Sequence, residues 1–525
     1  MMKTKIFVIS LAILLSGCTQ TGASSFVSIY SEEKNSLTTE TNYISSSISY
    51  SSENISSEEM SSSSEFASSE ISSIEQVDSS SIINSSSAST SQPKEENIVL
   101  DFYNFNDFHG SIEYSSSLGE PGLSKIATYI KQQRAKNEDG FVLTSSGDMW
   151  QGSALSNIFK GAILNDWMSY IGFDCMTLGN HEFDWGVDRI ISNMNDMDFP
   201  VINCNLEERG YSKPVDWIED TAMINVKGLN IGFVGAIGQG QGSDILASIS
   251  YNLNFPDPST YAVNAAKKLR NDGADLIVYL LHDSCETVSD SVASNMDVIF
   301  CGHTHDGENE MINGVPAVQA YSNGKDVSHV NLTYNTSTKK ITYNTHEVVD
   351  LRRLTLANDT ETDAIINKRL TPEINQKIYA QVGKISSKLS KSKQSELMTE
   401  YLYQYYKDNY DEFPIYATNY NNSRSDMSAG TITYKDVFKS FPFDNEVVVM
   451  KIKGSALKTI SYGTFYYSGS TSIVNNKYYY IFTIDYIADY DYYYQPELGV
   501  EIVRRYENVY PRDIFAEYFG GDYPL

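Results

Sequence analysis

Carboxylate, amide and imidazole side chains follow a series of short apolar runs in the middle of this chain. The runs are IVLDFYNF, FVLTSS, DCMTL, DLIVYLL and DVIFC, and the residues that follow them are Asp107, His109, Asp148, Asn180, His282, His303 and His305. Oxygen and imidazole donors suit Mn, Zn, Fe, Co or Ni better than metals that prefer thiolates. The set is large enough for two metal ions with a shared ligand, which activate water and clamp a phosphoryl group for in-line displacement.

The stretch LGNHEFDWG at 178–186 adds one more histidine, His181, directly after Asn180. A lone histidine after a strand is more often structural than catalytic. Five of the seven histidines in the chain occupy such positions, however, and coincidence accounts poorly for five. The sequence therefore predicts a reactive centre. His329 and His346 lack this context and are expected to be surface or packing residues.

The apolar runs alternate with helix-like segments from about residue 98 to about residue 350, which indicates a layered α/β domain. In such sheets the crevice beyond the carboxyl ends of the strands holds ligands. Five strand ends would therefore bring the ligand-type residues to one edge. Glycines beside several of them permit tight turns and close approach of the backbone. His282 has the weakest local signal because no glycine follows it.

Four motifs occur in the order NDFHG, GDMWQGS, GNHEFDWG and GHTHDG. Together they resemble the metallophosphoesterase core of the bacterial 5′-nucleotidase family, a calcineurin-like group that includes 2′,3′-cyclic phosphodiesterases and UDP-sugar hydrolases. The resemblance covers roughly residues 98–525. It implies a layered α/β fold of the αββα type, followed by a smaller α/β substrate-specificity domain.

The resemblance also implies roles for the strand-end residues. The ligands of the first metal would be Asp107, His109, Asp148 and His305. The ligands of the second would be Asp148 as the bridge, Asn180, His282 and His303. His181 would contact the phosphoryl oxygen or protonate the leaving alkoxide, with Asp184 orienting its imidazole, because a ribose 5′-oxygen is a poor leaving group. Glu182, Phe183 and Trp185 are expected to be turn and packing residues.

The segment YATNYNNSRSDMSAGTITYKDVFKSFPFDNEVVV resembles the family's specificity domain. The substrate-binding residues implied by position are Asn419, Arg424, Phe443, Asn445, Tyr486, Asp491 and Lys393. Arg424 would bind phosphate or carboxylate through two hydrogen bonds, the alternative being a surface ion pair. Phe443 and Tyr486 would stack on the nucleobase. In place of the family's glycine-rich ribose-binding turn this chain has Asp489-Tyr490-Asp491-Tyr492. Asp491 would make the ribose contact after a shift of one residue, the alternative being that the contact is lost. Lys393 is the nearest candidate for a family arginine that this chain lacks.

The N-terminus reads MMKTKIFVISLAILLSGC, and Leu15-Ser16-Gly17-Cys18 resembles a bacterial lipobox. Residues 1–18 are therefore predicted to be a lipoprotein signal peptide with the lipid on Cys18, and a plain signal peptide is the alternative. Residues 19–97 are serine-rich and are predicted to be a disordered linker. The remaining chain divides into a metallophosphoesterase domain at 98–350, a helical connector at 351–410 and a nucleotide-binding domain at 411–525. This organisation predicts a location on the extracellular face of a bacterial cell membrane.

The 39 basic and 67 acidic residues give a net charge of −28, which disfavours a partner rich in phosphates such as nucleic acid. A nuclease on the same fold would need a basic groove and is disfavoured for the same reason. Besides Cys18, the cysteines are Cys175, Cys204, Cys285 and Cys301. They are too few for a disulfide framework in a large chain and are expected to be buried free thiols.

The sequence therefore predicts a surface-anchored phosphohydrolase with two divalent metal ions, which converts extracellular nucleotides to nucleoside and phosphate. A 2′,3′-cyclic-nucleotide phosphodiesterase or a UDP-sugar hydrolase on the same site is the alternative within enzymes. A surface-binding lipoprotein without activity is the alternative outside them. The intact set of ligand-type residues argues against the latter.

Overall fold

The structure is a computed structural model that describes residues 97–353, 355–410, 413–419, 423–459, 464–467, 472–489 and 498–520. The predicted signal peptide with Cys18, the serine-rich linker up to residue 96 and the predicted ribose contact Asp491 lie outside these ranges. Asn419 is described in its backbone only. Within the described ranges, none of the helices combines the length and the apolar character that crossing a membrane requires.

The strands of the described residues are numbered β1 to β22 in chain order. They are Asn97–Phe105, Phe141–Ser145, Cys175–Thr177, Val201–Ile202, Glu207–Glu208, Lys213–Pro214, Thr221–Val226, Leu229–Ile237, Leu253–Asn254, Leu276–His282, Val298–Phe300, Glu308–Ile312, Val315–Gln319, Asp326–Asn335, Lys340–Asp350, Gln381–Ile385, Ile415–Asn419, Gly430–Thr433, Val447–Lys453, Thr464–Tyr467, Tyr478–Ile484 and Glu501–Tyr506.

The α-helices of the same ranges are numbered α1 to α14. They are Gly122–Arg134, Ala154–Ile158, Ala162–Ile171, Val187–Asn195, Ala247–Ser250, Pro258–Asn271, Asp290–Ala293, Thr360–Arg369, Pro372–Ile378, Lys391–Tyr406, Tyr434–Ser440, Gly454–Leu457, Asp485–Asp489 and Pro511–Phe519. Short 3₁₀ helices occupy Glu138–Gly140, Asn180–Trp185, Gln241–Ser243 and Cys285–Thr287.

Two six-stranded sheets form the first domain in the described part of the chain. Their strand orders are β15-β14-β1-β2-β3-β4 and β12-β13-β11-β10-β8-β7. Strands β1 to β4 are parallel, and so are β8, β10, β11 and β13. The carboxyl ends of the parallel strands therefore lie along one edge of each sheet, which is the edge that the sequence predicts to carry the site.

Successive side chains of a strand point to opposite faces of its sheet. Each sheet therefore has one apolar face in the core between the two sheets and one in a core under the helices. In β10, Leu276 faces the core between the sheets together with Leu100 of β1. The next residue, Ile277, faces a second core with Ala266 of α6. On the other side, helices α1 and α3 cover the outer face of the first sheet, with Trp167 fully buried. The order helix, sheet, sheet, helix confirms the predicted αββα layering.

The C-terminal part is built on a five-stranded sheet with the order β20-β17-β21-β19-β22. Helices α10, α11 and α14 pack on one face of this sheet, and α12 and α13 pack on the other. This arrangement confirms the prediction of a second, smaller α/β domain.

The stretch 351–410, expected to be a helical connector, is divided between the two domains. Helix α8 packs against α1 and α3 of the first domain. Helix α10 buries Met398, Tyr401 and Leu402 in the C-terminal core, and β16 pairs with β18. Although α10 is polar in overall composition, its apolar residues recur at helical spacing and form one buried face. The second half of this stretch is therefore part of the C-terminal packing and not a separate connector.

The cysteine prediction is half wrong. Cys175 and Cys204 are buried free thiols, as expected. Cys285 and Cys301 form a disulfide, with their Cα atoms 5.6 Å apart. Strand β10 pairs with β11, and Cys285 follows β10 while Cys301 ends the run that contains β11. This neighbourhood in the sheet brings together two thiols that are 16 residues apart in sequence.

Candidate active site

The ends of five strands meet at one place. Sheet one contributes the segments after β1, β2 and β3, which carry Asp107 and His109, then Asp148, then Asn180 and His181. Sheet two contributes the end of β10 with His282 and the loop after β11 with His303 and His305. The convergence that the sequence predicts is therefore present in the fold.

The first group of donors is centred on Asp107. His305 Nε2 lies 3.2 Å from Asp107 Oδ1 and 2.9 Å from His109 Nε2. His109 Nε2 lies 3.9 Å from Asp107 Oδ1 and also 3.9 Å from Asp148 Oδ2. The atoms of Asp107, His109 and His305 are close enough to one another to hold a metal ion.

The second group of donors is centred on His282. Its Nε2 lies 3.3 Å from Asp148 Oδ2 and 3.2 Å from Asn180 Oδ1. His303 Nδ1 lies 3.0 Å from the same Asn180 oxygen. Asp107, Asp148 and His282 also form a group with metal-binding spacing. Asp148 Oδ2 lies 3.9 Å from His109 Nε2 of the first group and 3.3 Å from His282 Nε2 of the second, so its carboxylate lies between the two groups.

The backbone at these residues is strained in a consistent way. Five of the residues have positive φ angles of 49° to 73°, namely Asp107, His109, Asp148, His303 and His305. A positive φ is uncommon for residues other than glycine, and such strain concentrates at functional sites, where surrounding structure holds it. Gly179 allows the close approach of these loops, because a Cβ there would lie 2.3 Å from Asp148 Oδ1.

The electrostatics of the cluster favour a cation. Burial alone lowers the pKa of His282, but the Asp148 and Asp107 carboxylates raise it to about 10. Among the described residues, Asp107 Oδ1 is buried without a well-aligned hydrogen-bond donor, although His305 Nε2 is near. His282 Nδ1 lies 2.7 Å from the Ser146 carbonyl oxygen and donates to it, so in the neutral ring the lone pair is on Nε2, where a bound metal ion would take the place of the proton. The donor set therefore fits hard or borderline divalent metals.

His181 has a different set of contacts from the other histidines. Its Nδ1 lies 3.0 Å from Asp184 Oδ2, and its backbone N–H donates to Asp148 Oδ1 at 2.8 Å. Burial lowers the pKa of His181, but Asp184 and Asp148 together raise it above its ordinary value. The predicted pairing of His181 with Asp184 is present. His181 also has metal-binding spacing with His109 and Asp148, which the sequence did not indicate.

A cleft of about 1000 Å³ opens over the cluster and is lined by both domains. Arg424, Phe443, Asn445 and Tyr486 from the C-terminal domain line it, as predicted for substrate-binding residues. Asn445 donates to Asp485 Oδ1 at 2.9 Å, and Tyr486 donates to the Ser243 carbonyl oxygen at 3.1 Å. The Arg424 guanidinium lies 5.6 Å from the centre of the Phe443 ring.

Lys393 is not among the lining residues of this cleft. Its side chain is exposed and pairs with Glu396 at 2.8 Å. Lys388 and Lys391 line the cleft instead. Ser390 caps helix α10, which places Lys391 in its first turn. Two residues further along a helix, Lys393 points about 200° away. Lys393 therefore lies outside the cleft, and two other lysines of the same segment lie in its lining.

The loop that carries Phe443 is held from both sides of the domain boundary. Asn157 of the first domain donates to the Pro442 carbonyl oxygen at 2.6 Å. Lys160, also of the first domain, lies 2.5 Å from Asp444 Oδ2, and Arg512 lies 2.5 Å from Asp444 Oδ1. The contacts of Asn157 and Lys160 were not predictable from the sequence, because each joins residues more than 280 positions apart.

Two family models match the chain. Residues 100–307 match the calcineurin-like phosphoesterase family, and residues 386–460 match the C-terminal domain of 5′-nucleotidases. The chain belongs to the calcineurin-like phosphoesterases that carry a 5′-nucleotidase C-terminal domain. This membership makes it a metal-dependent phosphoester hydrolase of the 5′-nucleotidase type.

Relatives of this phosphoesterase occur in distant organisms. Endonuclease YhcR of Bacillus subtilis is 25% identical over 70% of this chain, and the chain spans 33% of the length of that relative. The 5′-nucleotidase of Rattus norvegicus is 25% identical over 70% of this chain and 71% of its own length. A 5′-nucleotidase precursor from Thermus thermophilus has the same fold, with a TM-score of 0.68, 18% identity, and coverage of 81% of this chain and 96% of that chain.

Proposed function

We propose that this phosphoesterase removes the phosphate of nucleotides at a centre of two divalent metal ions. The observation that carries the proposal is the position of Asp148, whose carboxylate lies between the two groups of donors at the edge shared by both sheets. The first ion is assigned to Asp107, His109, Asp148 and His305. The second is assigned to Asp148, Asn180, His282 and His303. Two divalent ions, when bound, would supply a Lewis acid at the phosphoryl oxygens and a water activated for attack.

His181 is assigned as the residue that faces the leaving group. Its Nδ1 is engaged by Asp184, so Nε2 is the nitrogen that can hold a proton for the departing ribose oxygen. Asp184 fixes the tautomer and stabilises the imidazolium, as a carboxylate on the other ring nitrogen does in hydrolases. His181 therefore acts as the general acid and Asp184 as the residue that orients it.

The side of the cleft formed by the C-terminal domain is assigned to the nucleotide substrate. Arg424 offers five N–H donors in a planar fork that suits a phosphate. Phe443 and Tyr486 offer aromatic faces, and stacking on such faces tolerates every base. The name of the rat relative supports a nucleoside monophosphate as the substrate.

A larger substrate of the UDP-sugar type, with two phosphates, is the second candidate. The cleft is lined by four lysines in addition to Arg424, which are Lys325, Lys388, Lys391 and Lys439. One monophosphate does not require so many cations, so their number favours a ligand with a second anionic group. Lys439 and Lys388 are already paired with Glu120 and Asp426, which leaves the monophosphate as the first candidate.

A panel of hydrolysis assays tests both candidates, with phosphate measured for AMP, ADP and ATP and the nucleotide products measured for the other substrates, whose first cleavage frees no phosphate. The full-length protein is assayed with AMP, ADP, ATP, 2′,3′-cyclic AMP, UDP-glucose and NAD in the presence of Mn²⁺ or Zn²⁺. We expect the highest kcat/KM for AMP, and loss of activity with a chelator and in Asp148→Asn. No hydrolysis of any member of the panel with either metal would overturn the proposed function.

The lipid anchor on Cys18 and the extracellular location are proposed on the N-terminal sequence alone. Labelling of cells with a radioactive fatty acid, compared between the natural chain and Cys18→Ala, tests the anchor. Equal label in both chains would exclude it.

A further inference from the structure

Glu182 has a set of contacts that the metal chemistry does not use. It lies in the 3₁₀ turn after β3, between His181 and the packing residue Phe183, and its side chain is fully buried. The sequence suggested only a turn or packing role for it. A buried carboxylate is costly unless its oxygens are paired, so its partners indicate what it does.

The partners of Glu182 are backbone N–H groups of two loops. Its Oε2 accepts from Asp148 N at 2.7 Å and from Gly179 N at 2.8 Å. Its Oε1 accepts from Met149 N at 2.8 Å and from Trp150 N at 3.3 Å. An ionised carboxylate has about four acceptor positions, so these four donors use its full capacity.

Three of these donors are consecutive residues after β2, and they begin at the strained Asp148. Asp148 has a φ of 57° and follows Gly147, whose φ is 91°. Successive N–H groups that point into one concavity form an anion-binding nest. Here the anion in the nest is a side chain of the protein itself. The strain at Asp148 persists only if surrounding contacts hold it, and Glu182 supplies three of them.

We propose that Glu182 is a positioning residue that locks the Asp148 loop to the His181 turn. It sets the distance between the bridging carboxylate and the general acid, without touching either side chain in the described structure. The hydrogen bond from His181 N to Asp148 Oδ1 at 2.8 Å joins the same two segments. Asp184, two residues further on, orients the imidazole, whereas Glu182 orients the backbone from which both Asp148 and His181 project. This inference rests on the proposed metal centre.

The test compares Mn²⁺ binding to the metal-free full-length protein with binding to Glu182→Gln, measured by calorimetry. Glutamine keeps the shape but turns one acceptor into a donor that faces N–H groups. We expect the dissociation constant for Mn²⁺ to rise about 10- to 100-fold, the range for outer residues that orient metal ligands. We also expect kcat to fall while KM stays the same, because the substitution leaves the C-terminal side of the cleft, with Arg424 and Phe443, unchanged.

The matched control is Asp174→Asn. Asp174 is a largely buried carboxylate that accepts from Leu143 N at 2.9 Å, at the opposite end of β3 from Gly179. A merely structural role for Glu182 would lower the melting temperature as this control does, and would leave Mn²⁺ affinity of the folded protein unchanged. That outcome would overturn the inference.

A second variant keeps the test decisive if Glu182→Gln does not fold. Glu182→Asp retains the charge but is shorter by one methylene, so it is expected to weaken Mn²⁺ binding less than glutamine does. Wild-type affinity in Glu182→Asp would contradict the inference, and so would failure of both variants to fold, since Glu182 would then serve the fold and not the metal site. A natural protein that binds no Mn²⁺ would instead refute the proposed metal centre.

Discussion

The ring of Phe443 packs against the imidazole of His181, with centroids 5.5 Å apart and an angle of 29° between the planes. The contact joins the C-terminal domain to the proposed general acid. Phe443 was predicted from the sequence as one side of a nucleobase clamp. In the structure its ring contacts the proposed general acid, so Phe443 would connect the proposed base recognition to the proposed acid catalysis.

Phe443→Ala is therefore expected to lower kcat as well as raise KM for nucleotides. Loss of one aromatic pair corresponds to about 0.5–1.5 kcal/mol, or roughly 2- to 10-fold in rate. Steady-state kinetics with AMP separate the two effects. Phe443→Tyr, which keeps the ring, is the control. A change in KM alone would show that the contact with His181 has no catalytic role.

His181→Ala is expected to reduce kcat by about 10²- to 10⁴-fold, the range for a general acid, and to leave the metal content unchanged. Asp184→Asn should give a smaller reduction, because the imidazole remains but loses the carboxylate that raises its pKa. Metal analysis of the purified variants accompanies the kinetics. Loss of metal from His181→Ala would mean that His181 is a ligand, as its spacing to His109 and Asp148 allows.

Features that follow from local sequence patterns were predictable, whereas contacts that depend on how distant segments pack were not. The convergence of Asp107, Asp148 and His282 was predictable because parallel strands end at one edge, and local patterns locate the strand ends. The contact of Phe443 with His181 was not, because it depends on how two domains pack. Glu182 was missed for a related reason: its partners are backbone groups, which carry no sequence signal.

Removal of the Cys285–Cys301 disulfide is expected to lower stability by about 3 kcal/mol, the chain-entropy value for a loop of this length. The double variant Cys285→Ala, Cys301→Ala avoids leaving buried thiols, and its melting temperature is compared with that of the natural chain. Cys285 follows His282 by three residues, and Cys301 precedes His303 by two. We therefore also expect weaker Mn²⁺ binding when the disulfide is removed. Cys204→Ala, which removes a buried free thiol, is the control and should leave Mn²⁺ affinity unchanged.

The Lys160–Asp444–Arg512 group gives a prediction for pH dependence. Burial alone raises the pKa of Asp444, but Arg512 and Lys160 outweigh it and lower the pKa below the ordinary aspartate value. A carboxyl group with a lowered pKa in the folded state stabilises that state at every pH above its unfolded pKa of about 3.9, and this contribution is lost as the pH falls through the lowered value. Asp444→Asn should therefore be less stable than the natural chain at neutral pH.

We expect that loss to be at most about 3 kcal/mol, the low end for breaking a buried pair, because Asp444 and Lys160 are partly exposed. The difference between the two proteins should stay constant from roughly pH 8 to pH 5 and shrink below about pH 4. Melting temperatures across this range measure it. Lys160→Met should reproduce part of the loss and raise KM, since Asp444 adjoins Phe443. A stability difference that grows on acidification would contradict the lowered pKa of Asp444.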